Sequence, residues 1–243
     1  MRLSLALIRM HKTQNSWILF NRIASRYDLL NWLLSFNQDK RWRKKLSSFI
    51  SGTDLKIADI GTGTGDVLFS LIKHLGPGRI LAATGIDMSE GMLEVARKKQ
   101  AQLSLKVPTQ FNHGDSLDLP LETSTYDVVT MAFAIRNVED PLKGLKEIYR
   151  VLKPQGKALV LEFSLPQNIL IKWVYLLYFR FVLPTVGGVI SGDFKAYRYL
   201  NKTVEAFPYG EAFCAYMKEA GFTQVKAHPL TFGIATIYVG VKR

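Results

Sequence analysis

The sequence predicts an α/β fold, a mostly parallel sheet covered by helices on both faces with a helical lid inserted late in the chain. Three observations carry this. Between Leu55 and Phe163 short apolar runs alternate with amphipathic stretches. The runs are apolar almost throughout, as strands buried on both faces must be. A glycine-rich turn, ADIGTGTGD at 58–66, follows the first run and opens the first amphipathic stretch, the context in which such turns bind nucleotides.

Taken in order, two helical patterns come first, around Trp17–Tyr27 and Leu29–Phe49, and form an N-terminal cap over 1–50. LKIADI (55–60) reads as a strand and VLFSLIKHL (67–75) as a helix that Gly76-Pro77-Gly78 stops. RILAATGID (79–87) is the second strand. SEGMLEVARKKQ (89–100) is a helix capped by Ser89, whose side-chain oxygen takes an otherwise unpaired backbone N–H. TQFNHGD (109–115) and YDVVTMAF (126–133) are strands. PLKGLKEIYRVL (141–152) is a helix with Pro141 in its first turn, where a missing N–H breaks no bond. KALVLEFS (157–164) is the next strand. The alternation then stops. Residues 168–208 are aromatic and basic, and read as a lid inserted at about 166–208. YGEAFCAYMKEAGF (209–222) resumes as a helix, and 223–243 supply two closing strands, a hairpin with one antiparallel member. With no internal repeat and no Ser/Gly linker, 51–243 is one core.

Composition narrows the function. Hydrophobic residues make up 48%, enough for a full core, and no polar tract suggests disorder. Cys214 is the single cysteine, which excludes an internal disulfide and a multi-thiolate zinc site. No metal is expected, Cys214 reads as a small buried hydrophobe, and a reducing, intracellular setting follows. The formal charge of +12 suggests an anionic partner, nucleic acid or a lipid surface. Its densest cluster is KRWRKK, Lys40 to Lys45. MRLSLALIRM at the start mimics a weak signal peptide, but Arg9 interrupts it and no cleavage site follows, so Met10 is an alternative start. No segment is expected to reach the roughly twenty apolar residues that span a bilayer.

The glycine turn names its ligand by its acidity. Gly61, Gly63 and Gly65 let backbone approach a ligand closely, and Asp59 and Asp66 bracket them. A dinucleotide fingerprint would place a glycine at 66. Asp66 there would oppose phosphates at the helix N-terminus. A sulfonium carrying an α-amino group is cationic and favours carboxylates, so S-adenosyl-L-methionine fits. The second strand ends in Asp87, about twenty residues past the last glycine, the spacing at which an acid grips a ribose diol. Asp115 ends the third strand and, with Ser116, is placed to meet the adenine.

RYDLLNWLLSFNQDKRW (26–42), RVLKPQGKALVLEFS (150–164), TMAFAIRNVED (130–140), VLP (182–184), YRYL (197–200) and LTFGIATIY (230–238) occur in this order. On these motifs the chain resembles the ubiquinone/menaquinone biosynthesis C-methyltransferases from about Phe20 to its end. Tyr27, Asp28, Asn31, Ser35 and Trp42 match the first signature. Leu30 and Asp39 depart from it, as Gln155 departs from a usual glycine in the second. The resemblance implies the Rossmann-like fold of class I S-adenosylmethionine-dependent methyltransferases. It also implies methyl transfer to a ring carbon of a polyprenylated quinol, demethylmenaquinol to menaquinol first and the ubiquinone-pathway benzoquinol as the alternative. The family's cofactor contacts carry over to Thr64, Asp87, Asp115 and Ser116, while a serine that some members use is Ala132 here.

A ring carbon attacks a methyl group only when a neighbouring hydroxyl has phenolate character, so the site needs a base or a cation near that oxygen. The four histidines, His11, His74, His113 and His228, read as structural. Arg136 and Asn137 follow the fourth strand, on the carboxyl edge where open α/β sheets bind ligands. Arg136 is expected to hold the quinol oxygen electrostatically and Asn137 to orient it or a water. A guanidinium keeps its proton and is no base. Tyr27, Tyr197 and Tyr199 are expected to line the ring site. In 169–184 an apolar run is broken by Lys172 and Arg180 and ended by Pro184. It reads either as a core helix or as an amphipathic lid resting on an anionic membrane, with Trp173 and Phe179 inserted and Lys172 and Arg180 at phosphates. The latter implies peripheral attachment at the inner, cytoplasmic face of the membrane. An RNA methyltransferase would share the cofactor and the charge, but no RNA-reading module is evident, so no nucleic-acid partner is expected. The oligomeric state stays open, a homodimer included.

Overall fold

A computed structural model describes residues 35–191 and 203–243, together with Ile18, Asn21, Ala24, Asp28, Trp32 and Asn201. Seven strands form one sheet in the order β3-β2-β1-β4-β5-β7-β6. They are β1 (Leu55–Ile60), β2 (Ile80–Asp87), β3 (Thr109–His113), β4 (Tyr126–Ala132), β5 (Leu152–Phe163), β6 (Thr223–Leu230) and β7 (Ala235–Val241). β3 to β5 pair in parallel through β2, β1 and β4, while β7 runs antiparallel to both β5 and β6. Strand order reverses between β1 and β4, the switch point at which ligands of such sheets bind.

The helices are α1 (Gln38–Ser47), α2 (Asp66–Leu75), α3 (Glu90–Leu103), α4 (Pro141–Val151), α5 (Ile169–Leu177), α6 (Leu183–Ser191) and α7 (Glu211–Glu219). Local signals start them where expected. Ser89 Oγ accepts the Met92 N–H at 3.3 Å, and Asp140 Oδ1 accepts that of Lys143 at 3.0 Å. α4 turns Leu145, Ile148 and Val151 to the core, where they meet Phe213, Cys214 and Met217 of α7. On the other face α1 packs Trp42 and Leu46 beside Leu68 and Leu71 of α2 and Leu93 of α3.

Three departures from the sequence reading have physical causes. The pattern expected to run unbroken from Leu29 to Phe49 turns at 35–37, where Phe36 and Asn37 take left-handed φ of 50° and 61°. β5 starts five residues earlier than expected, and within it Gln155 has φ 65°, which is why a glycine suits that position. Pro184 does not end the lid helix. A widened π turn at Tyr178–Val182 comes just before it, and helix continues through α6. Proline conflicts with the carbonyl four residues back in a regular helix. That carbonyl, of Arg180, lies within the π turn. Ile169–Gly188 is therefore twenty residues of helix, long and apolar enough to cross a bilayer by length and composition, contrary to the expectation that no segment reaches this length.

The lid has two unlike faces. Tyr175, Phe179 and Leu183 pack with Leu165 and Val204 in a small core of their own. Ile169, Leu170, Trp173, Val174, Leu177, Phe181 and Val182 are exposed. Phe179, expected on the outer face with Trp173, is 1% exposed, because the helical repeat puts it one turn past Tyr175. Arg180, expected at lipid phosphates, is instead forked onto Glu205, with Nε 2.9 Å from Oε1.

Candidate active site

The loops after β1, β2 and β3 meet at one edge of the sheet. Gly61 has φ 65°, and a Cβ there would lie 2.5 Å from that of Ala134, so the glycine turn passes directly against the turn that follows β4. Gly63 has φ 55° and open space where a side chain would point. Its N–H donates to Asp87 Oδ2 at 2.8 Å, and the Ser89 N–H donates to Oδ1 at 2.8 Å. Burial pushes the Asp87 carboxyl up, and these N–H groups oppose it. The Gly114 N–H donates to the Asp87 carbonyl at 3.1 Å, bringing Asp115 and Ser116 beside the other two loops. Asp115 Oδ1 itself accepts the Leu117 N–H at 2.9 Å.

Asp59 lies deeper. Its Oδ1 accepts the Thr130 hydroxyl at 2.6 Å, while Oδ2 and the Thr62 hydroxyl have no partner among the described residues. Burial raises its carboxyl to about 7, with the Thr130 bond pulling the other way. An orphaned acid beside a glycine turn open at Gly63 fits a cationic, amine-bearing nucleoside better than a phosphate. Asp66 does not share this role. It pairs with Arg43 and with Lys99 (2.6 Å), and the two cations outweigh burial and hold its carboxyl below the usual range. The acidity that no cation neutralises therefore comes from Asp59, which is buried, and Asp87.

Two residues of the N-terminal segment, Asn21 and Asp28, reach these loops. Asn21 Oδ1 accepts the Ser89 hydroxyl at 3.0 Å and the Gly91 N–H at 2.8 Å. Asp28 accepts the Thr64 hydroxyl at 2.7 Å and pairs with Lys99 at 2.5 Å. Thr64 thus faces Asp28 as well as the turn. Asp39, the departure from the first signature, is buried, takes the Ser35 hydroxyl at 2.8 Å and pairs with Arg43.

The second half of the site is built on β4 and β5. Ile135–Asn137 form a short 3-10 turn at the end of β4 and put Arg136 and Asn137 on the carboxyl edge, as expected. Arg136 is not a free cation there. It is 5% exposed, and its Nη1 donates to Glu162 Oε1 at 2.7 Å and to the Phe133 carbonyl at 2.6 Å. Its guanidinium lies 5.3 Å over the Phe163 ring. The Asn137 amide leans on the same Phe133 carbonyl at 3.5 Å. Glu162 is 1% exposed; burial pushes its carboxyl up and Arg136 pulls it down. The sequence reading did not single out Glu162. Its signal is an acid inside the apolar run ALVLEF, since a carboxyl buried in a strand needs a partner.

Tyr27, Tyr197 and Tyr199 lie outside the described residues. His11 does too, whereas His74 bonds the Ser70 carbonyl on the surface and His228 packs on the Phe49 ring. His113 ends β3, exposed.

The sequence profile of the ubiE/COQ5 methyltransferase family matches residues 9–242. The demethylmenaquinone methyltransferase of Thermus thermophilus is 46% identical over 223 residues, covering 91% of this chain and 99% of that one. The ubiquinone/menaquinone biosynthesis C-methyltransferase UbiE of Geobacter sulfurreducens is 43% identical, covering 92% and 87%. Among solved structures, a putative S-adenosyl-L-methionine-dependent methyltransferase of Methanococcus maripaludis superposes with a TM-score of 0.64 at 20% identity, covering 91% and 93%. A methyltransferase of Thermotoga maritima also gives 0.64, at 22% identity, covering 93% and 99%. At that identity the two structures establish the fold.

Proposed function

The chain belongs to the ubiE/COQ5 methyltransferase family, and from that membership we propose that it methylates a ring carbon of a polyprenylated quinol, converting demethylmenaquinol to menaquinol. It is an S-adenosylmethionine-dependent C-methyltransferase. The observation that carries the site assignment is the contact of Gly61 with Ala134. It brings the acid-lined turn against the turn bearing Arg136, which supports a methyl donor and a ring oxygen meeting at one edge of the sheet.

Bound S-adenosylmethionine supplies a methyl group on a positively charged sulfur. Asp87, already fixed by two backbone N–H groups, keeps lone pairs for the ribose hydroxyls. Asp115 and Ser116 face the adenine edge. Asp59 offers its unbonded oxygen to the cationic end. On the substrate side, Arg136 and Asn137 hold a ring oxygen of the quinol. As that hydroxyl gives its proton to water, negative charge spreads to the ring carbon, which would take the methyl as its bond to sulfur breaks and neutral S-adenosylhomocysteine leaves. The ring hydrogen then leaves as a proton and the oxygen regains one, so the reaction releases one proton in all.

The tail of such a quinol stays in the bilayer, so the enzyme works at a lipid surface. The exposed apolar face of α5 and the π turn supports this, as do the exposed Lys40, Arg41, Lys44 and Lys45 of α1. The lid lies on the membrane rather than through it, because Tyr175, Phe179 and Leu183 pack it along the domain. Burial of the same face between two copies would give the homodimer. The site of action is the inner face of the cytoplasmic membrane.

Radiolabelled methyl transfer tests the reading. Label should enter chemically reduced demethylmenaquinone faster than the demethylated benzoquinol, and should not enter RNA. Equal or greater labelling of the benzoquinol would move the assignment to the ubiquinone pathway.

A further inference from the structure

Gly91 stands in the first turn of α3, where glycine weakens a helix relative to alanine. Its backbone does not demand glycine, because its φ is not in the left-handed region. The demand comes from another side chain: a Cβ at 91 would lie 2.5 Å from Asn21 Oδ1. That oxygen fills the notch, accepting the Gly91 N–H at 2.8 Å and the Ser89 hydroxyl at 3.0 Å.

The bond to Ser89 reaches the cofactor side of the site. Ser89 has one hydroxyl proton, and Asn21 takes it, so the oxygen is left to accept the Met92 N–H and cap α3. The backbone N–H of the same serine donates to Asp87 Oδ1 at 2.8 Å. Asn21 therefore acts on one of the two donors that fix Asp87. Asp28 acts beside the other. It accepts the Thr64 hydroxyl at 2.7 Å, and Thr64 follows Gly63, whose N–H donates to Asp87 Oδ2. Asp28 is itself held by Lys99 of α3 at 2.5 Å, and Lys99 also pairs with Asp66 at 2.6 Å.

We propose that Asn21 and Asp28 are positioning residues for S-adenosylmethionine. Each holds one of the loops that carry the donors to Asp87, and Gly91 is kept small to admit Asn21. This rests on the reading that Asp87 grips the ribose, and extends it to two side chains that act through Ser89 and Thr64. Asn21 is exposed and the Asp28–Lys99 pair is only half-buried, so these contacts add little to the stability of the fold.

Gly91→Ala separates positioning from stability. The atom in the way is the end of a flexible side chain, so Asn21 is what must move. α3 gains a better helix former, and the melting temperature should hold or rise. The Kd for S-adenosylmethionine, read by calorimetry, should nevertheless rise by about 3- to 10-fold. Asn21→Ala should give a similar loss, and the double variant no more than either alone, because both remove one contact. Asp28→Ala should also raise the Kd, while turnover of reduced demethylmenaquinone at saturating cofactor stays nearly unchanged. Wild-type affinity in Gly91→Ala and Asn21→Ala would overturn the role of Asn21, as would losses that add in the double variant. Wild-type affinity in Asp28→Ala would do the same for Asp28. A melting temperature that falls in step with affinity would make these contacts purely structural and overturn the proposal. If the unmodified enzyme gives no heat with S-adenosylmethionine, it is the cofactor reading that fails, and the two failures are told apart.

Discussion

The two halves of the proposed active site solve opposite problems. On the cofactor side, the acid at the tip of β2 is fixed by the Gly63 and Ser89 N–H groups, and Asp115 by that of Leu117. Those contacts are to backbone, so that side is shaped before any ligand arrives. On the proposed quinol side, a buried ion pair joins Arg136, from the turn after β4, to Glu162 of β5, and the Arg136 Nε has no partner among the described residues. One side is held by backbone contacts, the other by a single buried ion pair.

The sharpest way to break this contrast is to remove Arg136. Arg136→Ala should lower turnover on the order of 100-fold and leave cofactor affinity nearly intact. It should also destabilise by about 3–5 kcal/mol, because Glu162 is left buried and unpaired. The carboxyl is already raised by burial, and loss of Arg136 raises it further. Since its folded value lies above the unfolded one, its stabilising proton is present at acid pH and lost as pH rises through the folded value. The variant should thus melt highest in acid, and Glu162→Gln on top of it should flatten that dependence. A variant with normal turnover would return Arg136 to a purely structural role and promote Asn137.

The cofactor side should fail differently. Asp87→Ala should weaken S-adenosylmethionine binding by about 1.5–3 kcal/mol, read by calorimetry, with turnover at saturating cofactor reduced much less. Unchanged affinity in a folded variant would take Asp87 out of the site.

A subtler effect belongs to Asp59. Burial places its carboxyl at about 7 in the free enzyme, and a bound cation should draw it down. Binding at pH 7 should therefore release a fraction of a proton, and affinity should rise with pH up to about 7 and level above it. Titrations in two buffers of different ionisation enthalpy would detect the proton. Identical heats would mean that Asp59 keeps its protonation state, and that the cation sits elsewhere.

The same contrast explains what the sequence could reveal. The cofactor side is written locally: three glycines in five residues, an acid at each strand end, Ser89 before its helix. The quinol side is written across distance. Glu162 lies 26 residues from Arg136 in an otherwise apolar run. Charge was misleading for a similar reason. Asp66 reads as part of an acidic turn until Arg43 and Lys99, far along the chain in both directions, are seen to neutralise it. The lid's length was hidden because Pro184 is a strong stop signal, and only the π turn before it lets the helix continue.

That lid provides the smallest and most diagnostic of these effects. Trp173 is 65% exposed and Phe181 lies on the same outer face, whereas Phe179 is packed inside. Trp173→Ser with Phe181→Ser should leave melting unchanged and lower binding to anionic vesicles several-fold, since two apolar side chains lose their burial in lipid. Turnover should drop on long-tailed quinols and be spared on short-tailed ones. Phe179→Ser, two positions from Phe181, should instead lower the melting temperature by opening the small core around Tyr175. Basic residues near an anionic surface contribute about 1 kcal/mol each, and salt screens that term. Binding of the intact enzyme should therefore weaken as salt rises, and the outer-face variant should be more salt-sensitive than the parent because charge is then most of what holds it. If both proteins sediment equally with neutral and anionic vesicles at every salt concentration, lipid charge has no part in the attachment. The exposed face would then belong to a second copy of the chain, and a change in sedimentation coefficient with protein concentration would reveal it.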